Sequence, residues 1–198
     1  MKTYVATHNE GKLRELKAIF AGSELQLTKP RKLVEVEESA DSFAGNALLK
    51  ARAFATGLSA RRVVAAVLAD DSGLEVDALG GRPGIYSARY GGVELEWPQR
   101  RAALLGELRG VPPYQRKARF VCVLAYIAPG AEPLVATGTV EGFILDTERG
   151  SGGFGYDPVF FYPALGRSFA MLSEKEKNAV SHRHRAAEAL LAMLAPRV

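Results

Sequence analysis

Cysteine occurs once in the 198 residues, so no internal disulfide can form. That residue, Cys122, lies inside the apolar run FVCVLAYI and reads as a buried structural thiol rather than a nucleophile. Long apolar runs are lacking as well. The stretch from Val63 to Ala69 is far shorter than the roughly 20 residues a membrane-spanning helix needs, so no membrane association is expected. The opening segment MKTYVATHNEGK lacks the apolar core of a secretory signal, and the expected location is the cytoplasm. No strong excess of one charge is present. The formal net charge is +4, a mild positive balance that suits an anionic ligand. Aromatic residues are not interleaved with the basic ones, as they would be in a single-strand binder, so nucleic acid ranks below small phosphates as a partner. No repeat, low-complexity tract or polar linker divides the chain, which leads us to expect a single domain over residues 1–198.

What is present alternates. TYVAT reads as a strand, and in NEGKLRELKAIF the apolar Leu13, Leu16, Ile19 and Phe20 share one helical face. LQLTKP is a short strand closed by proline. DSFAGNALLKARAFATGL is an amphipathic helix capped by Asp41 or Ser42, with Phe43, Ala47, Leu48, Ala51 and Phe54 inward. RVVAAVLAD has no polar alternation and reads as a strand covered on both faces, followed by a loop. PQRRAALLGELRG is a helix stopped by glycine and proline. ARFVCVLAYIA and LVATGTVEGFIL read as a hairpin, VFFY as a short strand, and the region near Glu176 to Leu194 as the last helix. The fold class is α/β with a mixed sheet.

Four polar clusters fall where these elements end. THNEGK sits between a strand and a helix start, where free backbone N–H groups and Thr7, Asn9 and Lys12 suit a phosphate; a plain capping turn has the same look. The glycine pattern and Lys-Ser/Thr pair of a P-loop are missing. LADDS places Asp70 and Asp71 at the carboxyl end of the buried strand, where open α/β sheets put their ligands. Successive strand residues point to opposite faces, so only one of the two need face a site. A carboxylate beside phosphates needs a bridging cation, which implies Mg²⁺ if phosphate binds. In GSGGFGYDP, glycines allow close backbone approach, and Phe154 or Tyr156 could stack on a flat ring. EKEKNAVSHRHR brings Lys177, His182 and Arg183 close together with no carboxylate between Lys177 and Arg183. The acids of VEVEESADS favour a helix N-terminus, and one of them could be a second metal ligand.

The ordered set THNEGKLREL, EESADSFAGNALLKAR, ADDSGLEVDALGGRPGIYSARY, GSGGFGYDPVFF and EKNAVSHRHRA resembles the inosine triphosphate pyrophosphatase family and covers nearly the whole chain. That family consists of hydrolases that remove deaminated purine nucleotides from the nucleotide pool. The resemblance implies an elongated mixed sheet flanked by helices, with two lobes, a central substrate cleft and a homodimer. It implies hydrolysis of inosine, deoxyinosine and xanthosine triphosphates to monophosphate and pyrophosphate, with Mg²⁺. By the same resemblance, the turn formed by Thr7, His8, Asn9, Glu10, Gly11 and Lys12 holds the triphosphate, together with Lys50. Asp71 is the catalytic, metal-linked acid and Ser72 touches substrate. Glu38 is a further metal ligand, with Glu37 one residue away. Phe154, Gly155, Tyr156 and Asp157 match the family's FGYD run, and Lys177, His182 and Arg183 its base-contacting trio. Gly45 departs from the pattern, which often has an acid before Asn46. Two rivals are a septum-associated pyrophosphatase acting on modified pyrimidine nucleotides, opposed by the SHR and FGYD motifs, and a nucleic-acid binder, which leaves the paired aspartates unexplained.

Overall fold

The computed structural model describes residues 1–31 and 34–195. Its elements run β1 (Lys2–Val5), α1 (Glu10–Ile19), β2 (Gln26–Thr28), α2 (Phe43–Ala60), β3 (Ala66–Val76), α3 (Trp97–Glu107), β4 (Lys117–Ile127), β5 (Leu134–Ile144), β6 (Phe160–Tyr162), β7 (Arg167–Ser168), α4 (Glu174–Val180) and α5 (His182–Leu194). The seven strands form one mixed sheet in the order β2-β1-β3-β4-β5-β6-β7. β1 pairs in parallel with β2 and β3, whereas β5–β6 and β6–β7 are antiparallel. The α/β class and the mixed sheet expected from the alternation are thus observed.

Two boundaries differ from the sequence reading. β3 does not stop at the aspartates; it runs on through Asp70, Asp71 and Ser72 to Val76, so the carboxylates sit mid-strand rather than at a strand end. Leu74 and Val76 continue the apolar alternation and bury completely, which carries the strand past the polar triplet. The expected last helix is two helices. Ser181 is extended (ψ 161°) and separates α4 from α5, and α4 begins at Ser173 with a reciprocal cap. Ser173 Oγ accepts from Glu176 N at 3.3 Å, and Glu176 accepts from Ser173 N at 2.8 Å. Of the two candidate caps for α2, Ser42 does the work, accepting from Gly45 N.

The chain forms two compact units. The first comprises residues 1–71, 122–138 and 182–198, and the second residues 72–121 and 139–181. In the first unit, Leu13 and Leu16 of α1 and its C-cap Phe20 meet Val5, Leu68, Leu124 and the α5 residues Ala186, Ala187 and Leu190. In the second, Phe120, Phe160 and Phe169 form an aromatic cluster with ring centroids 4.6–5.8 Å apart. Buried Arg100 of α3 serves that unit as a structural cation, its Nη1 donating to the carbonyls of Tyr90 and Gly92.

Gly138 on β5 fixes how α5 seats in the first unit. A Cβ at this position would lie 2.2 Å from Ala186 N and 2.3 Å from His182 O, both main-chain atoms of the first α5 turn. Backbone cannot yield as a side chain can. Gly138→Ala is therefore expected to cost about 3 kcal/mol, or roughly 6–12 °C in Tm for a chain of this size, measured by thermal denaturation. An unchanged Tm would refute the close seating.

Candidate active site

The register of β1 on β3 builds the first half of the site. Val5 lies opposite Leu68, and Ala6 N donates to Leu68 O at 2.8 Å. Two residues further along each parallel strand, Thr7 reaches the level of Asp70. The turn then closes on itself. Thr7 Oγ1 accepts from Asn9 N at 3.2 Å, and Asn9 Oδ1 accepts from Lys12 N at 3.0 Å. Asn9 is thus the N-cap of α1, as the plainer reading of this turn had it. Lys12 projects from the first turn of α1 with its side chain largely covered. His8 and Glu10 are exposed, and Glu10 pairs with Lys29.

Asp70 and Asp71 enter separate networks from the two faces of β3. Asp70 is 1% exposed. Its Oδ1 lies 2.5 Å from Lys12 Nζ, its Oδ2 lies 3.3 Å from Arg183 Nε, and Cys122 Sγ donates to Oδ2 at 3.2 Å. Burial alone would raise this carboxyl's pKa, but Lys12 and Arg183 hold it well below the ordinary carboxylate range. Asp71 faces α2. Lys50 Nζ stands 2.7 Å from Asp71 Oδ1 and 2.8 Å from Glu38 Oε1, so one ammonium bridges two carboxylates. Burial pushes Asp71 up despite Lys50 and Lys12. Lys50 is pulled down by its own burial and more than restored by Asp71 and Glu38. Asp71 Oδ2 is buried and has no hydrogen-bond partner among the described residues.

That unsatisfied oxygen is the observation a metal must account for. Mg²⁺ takes one or two protein carboxylates and completes its shell from water and phosphate oxygens. Asp71 and Glu38 supply two. Among the described residues no group of three or more His, Cys, Asp or Glu gathers, so no all-protein cage is seen there. Of the neighbouring glutamates, Glu38 is half-buried and joined to Lys50, whereas Glu37 is exposed.

The second unit holds its own constellation. Asp157 Oδ2 accepts from Phe154 N at 2.7 Å and pairs with buried Lys177, whose Nζ sits 4.7 Å from the Phe154 ring centroid. Gly153 (φ +70°) permits this wrap; a Cβ there would lie 2.0 Å from Asp157 Oδ2. Gly155 O accepts from Arg101 Nη1 at 2.9 Å, and Arg101 is held bidentate by Glu148. Phe154 is half-buried and remains a candidate for stacking. Tyr156 is not one. Its ring is 2% exposed, packs edge-on to Trp97 and donates its hydroxyl to Ser87 O at 3.0 Å, leaving only its backbone for a ligand. Ser72 is half-buried.

His182 and Arg183, in the first unit, are 2% and 3% exposed. No carboxylate lies between Lys177 and Arg183 in the sequence, yet acids distant in sequence meet both of these residues. Lys177 meets Asp157, while Arg183 meets Asp70 and donates Nη1 to Glu15 Oε2 at 2.9 Å. Glu15 and Cys122 escaped the sequence reading as site residues. Glu15's only signal was its place three residues after Lys12, one step along the same helix face.

Fold and side chains together define an α/β protein in which β3, an inner strand of the sheet, carries two buried aspartates, each matched to a lysine. The chain belongs to the Ham1 family, whose model matches residues 3–193. It is 49% identical over 185 residues to the dITP/XTP pyrophosphatase of Geobacillus kaustophilus, covering 92% of this chain and 88% of the relative. It is 47% identical to that of Pectobacterium atrosepticum, with 96% of both chains covered. The Ham1 protein of Staphylococcus aureus has a similar structure, with a TM-score of 0.83, 40% identity and 98% of both chains covered. The resemblance carried by the ordered motifs is borne out.

Proposed function

We propose that this protein is a Mg²⁺-dependent pyrophosphatase of inosine, deoxyinosine and xanthosine triphosphates, acting in the cytoplasm as a homodimer. The observation that carries the reading is the Asp71 carboxylate, buried mid-strand with one oxygen on Lys50 and the other unsatisfied. Support comes from relatives named dITP/XTP pyrophosphatase over nearly the full chain.

Asp71 and Glu38 would hold the cation, which when bound supplies charge neutralisation at the phosphates and acidifies water. The remaining chemistry belongs to the side chains. Asp71 Oδ2 orients the attacking water. The water's oxygen bonds to the α-phosphorus as the bond from that phosphorus to the bridging oxygen breaks; pyrophosphate leaves with the electron pair, and the proton shed by the water passes to the departing pyrophosphate or to solvent. An ammonium carries three N–H donors. Lys12 spends one on Asp70 and Lys50 two on Asp71 and Glu38, so both retain donors for the leaving phosphates. The free amides at the start of α1 add further donors.

Base selection is assigned, by the family resemblance, to Lys177, His182 and Arg183, with Phe154 offering a face for stacking. A 6-oxo purine offers an acceptor to these donors, whereas the 6-amino group of adenine sets donor against donor. Two unpaired buried groups at about 1–3 kcal/mol each give roughly 10²–10⁴-fold discrimination. The deciding experiment is pyrophosphate release with Mg²⁺ from inosine, xanthosine, adenosine and guanosine triphosphates. Equal turnover of all four, or none, would defeat the proposal.

Because phosphates are common to every nucleotide, Lys12→Ala is expected to lower kcat/KM about 10²-fold for all of them. A variant that lost inosine triphosphate yet kept adenosine triphosphate would move this lysine from the phosphates to the base.

A further inference from the structure

The Asp70 face of β3 carries more charge than holding one lysine requires. Glu15 is 6% exposed, Arg183 3% and Asp70 1%, and such groups persist in an interior only when each is paired. Their contacts form a chain whose two ends α1 joins into a ring. Lys12 and Glu15 lie three residues apart on α1. Lys12 Nζ is 2.5 Å from Asp70 Oδ1, Asp70 Oδ2 is 3.3 Å from Arg183 Nε, and Arg183 Nη1 donates to Glu15 at 2.9 Å. The signs alternate around the ring and cancel. Two of its members come from one helix, one from β3 and one from α5, so the ring fixes α1 against both.

We propose that Glu15 is a positioning residue for phosphate handling, acting through Arg183 and Asp70 on the ammonium of Lys12. The inference rests on the reading of Lys12 as a phosphate ligand. With Glu15 charged, Arg183 divides its attraction between two carboxylates, and Asp70 is left to hold Lys12 in one place. With Glu15 neutral, Asp70 becomes the sole anionic partner of this pair for a buried guanidinium. It is drawn toward Arg183 and away from Lys12. The freed ammonium regains rotamer freedom, and phosphate binding must then order it again. Arg183 Nη1 donates to Glu15 and its Nε lies 3.3 Å from Asp70 Oδ2, so the guanidinium belongs to this network whatever its remaining donors contact.

Glu15→Gln keeps the size and an acceptor for Arg183 while removing the charge. Inorganic tripolyphosphate, which has no base, is the probe, with its Kd measured by calorimetry on the full chain. Glu15→Gln is expected to weaken tripolyphosphate about tenfold, Glu15→Asp by no more than about threefold, and Glu15→Gln on top of Lys12→Ala by almost nothing further. A merely structural role would lower Tm but would leave the two effects additive, and additivity overturns the proposal. So does equal weakening by Gln and Asp. Turnover is read in parallel: Glu15→Gln should depress inosine and adenosine triphosphates by the same factor, and a changed ratio would move Glu15 from the phosphates to the base and overturn the proposal. A wild-type chain that binds tripolyphosphate with the expected cycle but releases no pyrophosphate would defeat the proposed function and leave this inference standing.

Discussion

Asp71→Asn is expected to lower kcat for inosine triphosphate by about 10³-fold or more while leaving the fold intact. The lost charge is one of two carboxylates proposed to hold the cation, and the loss of several kcal/mol of transition-state stabilisation corresponds to that factor. The fold should survive because Lys50 keeps Glu38 as a partner 2.8 Å away. Burial already disfavours the ionised Asp71, so its removal relieves a desolvation cost. Steady-state turnover at saturating Mg²⁺, beside a thermal melt, checks both halves. Near wild-type activity would strip Asp71 of its role.

The neighbouring substitution should behave in the opposite way. Asp70→Asn removes the anion between Lys12 and Arg183 in the interior of the first unit, so that of Asp70 and Glu15 only Glu15 still offers buried Arg183 a charge. Breaking a buried pair from one side costs about 3–5 kcal/mol, or about 6–20 °C in Tm for this chain length. Turnover should fall as well, since Lys12 loses its holder. Urea denaturation is the direct measurement. If Asp70→Asn melts like wild type, the ionic ring is not a stabilising element, and the ordering of the two aspartates argued here is wrong.

Side by side, these two variants show what the sequence could and could not disclose. The strand itself was legible because Val67, Leu68 and Ala69 form an unbroken apolar run, and alternation predicted that Asp70 and Asp71 would part company. Their placement mid-strand was not legible. A polar triplet followed by glycine looks like a strand end, and only the burial of Leu74 and Val76 against partners from distant segments extends it. The turn at Asn9 announced itself through local capping chemistry. The acids that meet Lys177 and Arg183 did not, because Asp157 is 20 residues away from its partner and Glu15 is 168 residues away from its own. Local pattern specifies elements and caps, whereas charge matching within each unit is a property of the folded chain. Tyr156 illustrates the same limit in reverse. An aromatic in a glycine loop invites a stacking role, yet its contacts with Trp97 and the carbonyl of Ser87 give it to the core.

The solitary thiol, finally, makes the native chain its own recording device. Cys122 is completely buried, its Sγ rests on Asp70, and burial together with that carboxylate pushes the thiol far from its reactive form. A thiol reagent can reach it only when the first unit opens, so the labelling rate is the reagent's intrinsic rate multiplied by the open fraction. For a domain of ordinary stability, about 5–10 kcal/mol, that product lies roughly 10⁴–10⁷-fold below the rate for a free thiol. No other cysteine contributes background. The wild-type sequence thus carries a single-site clock beside Asp70 of its ionic ring, readable through changes in ligand, metal and neighbouring charge without any added label.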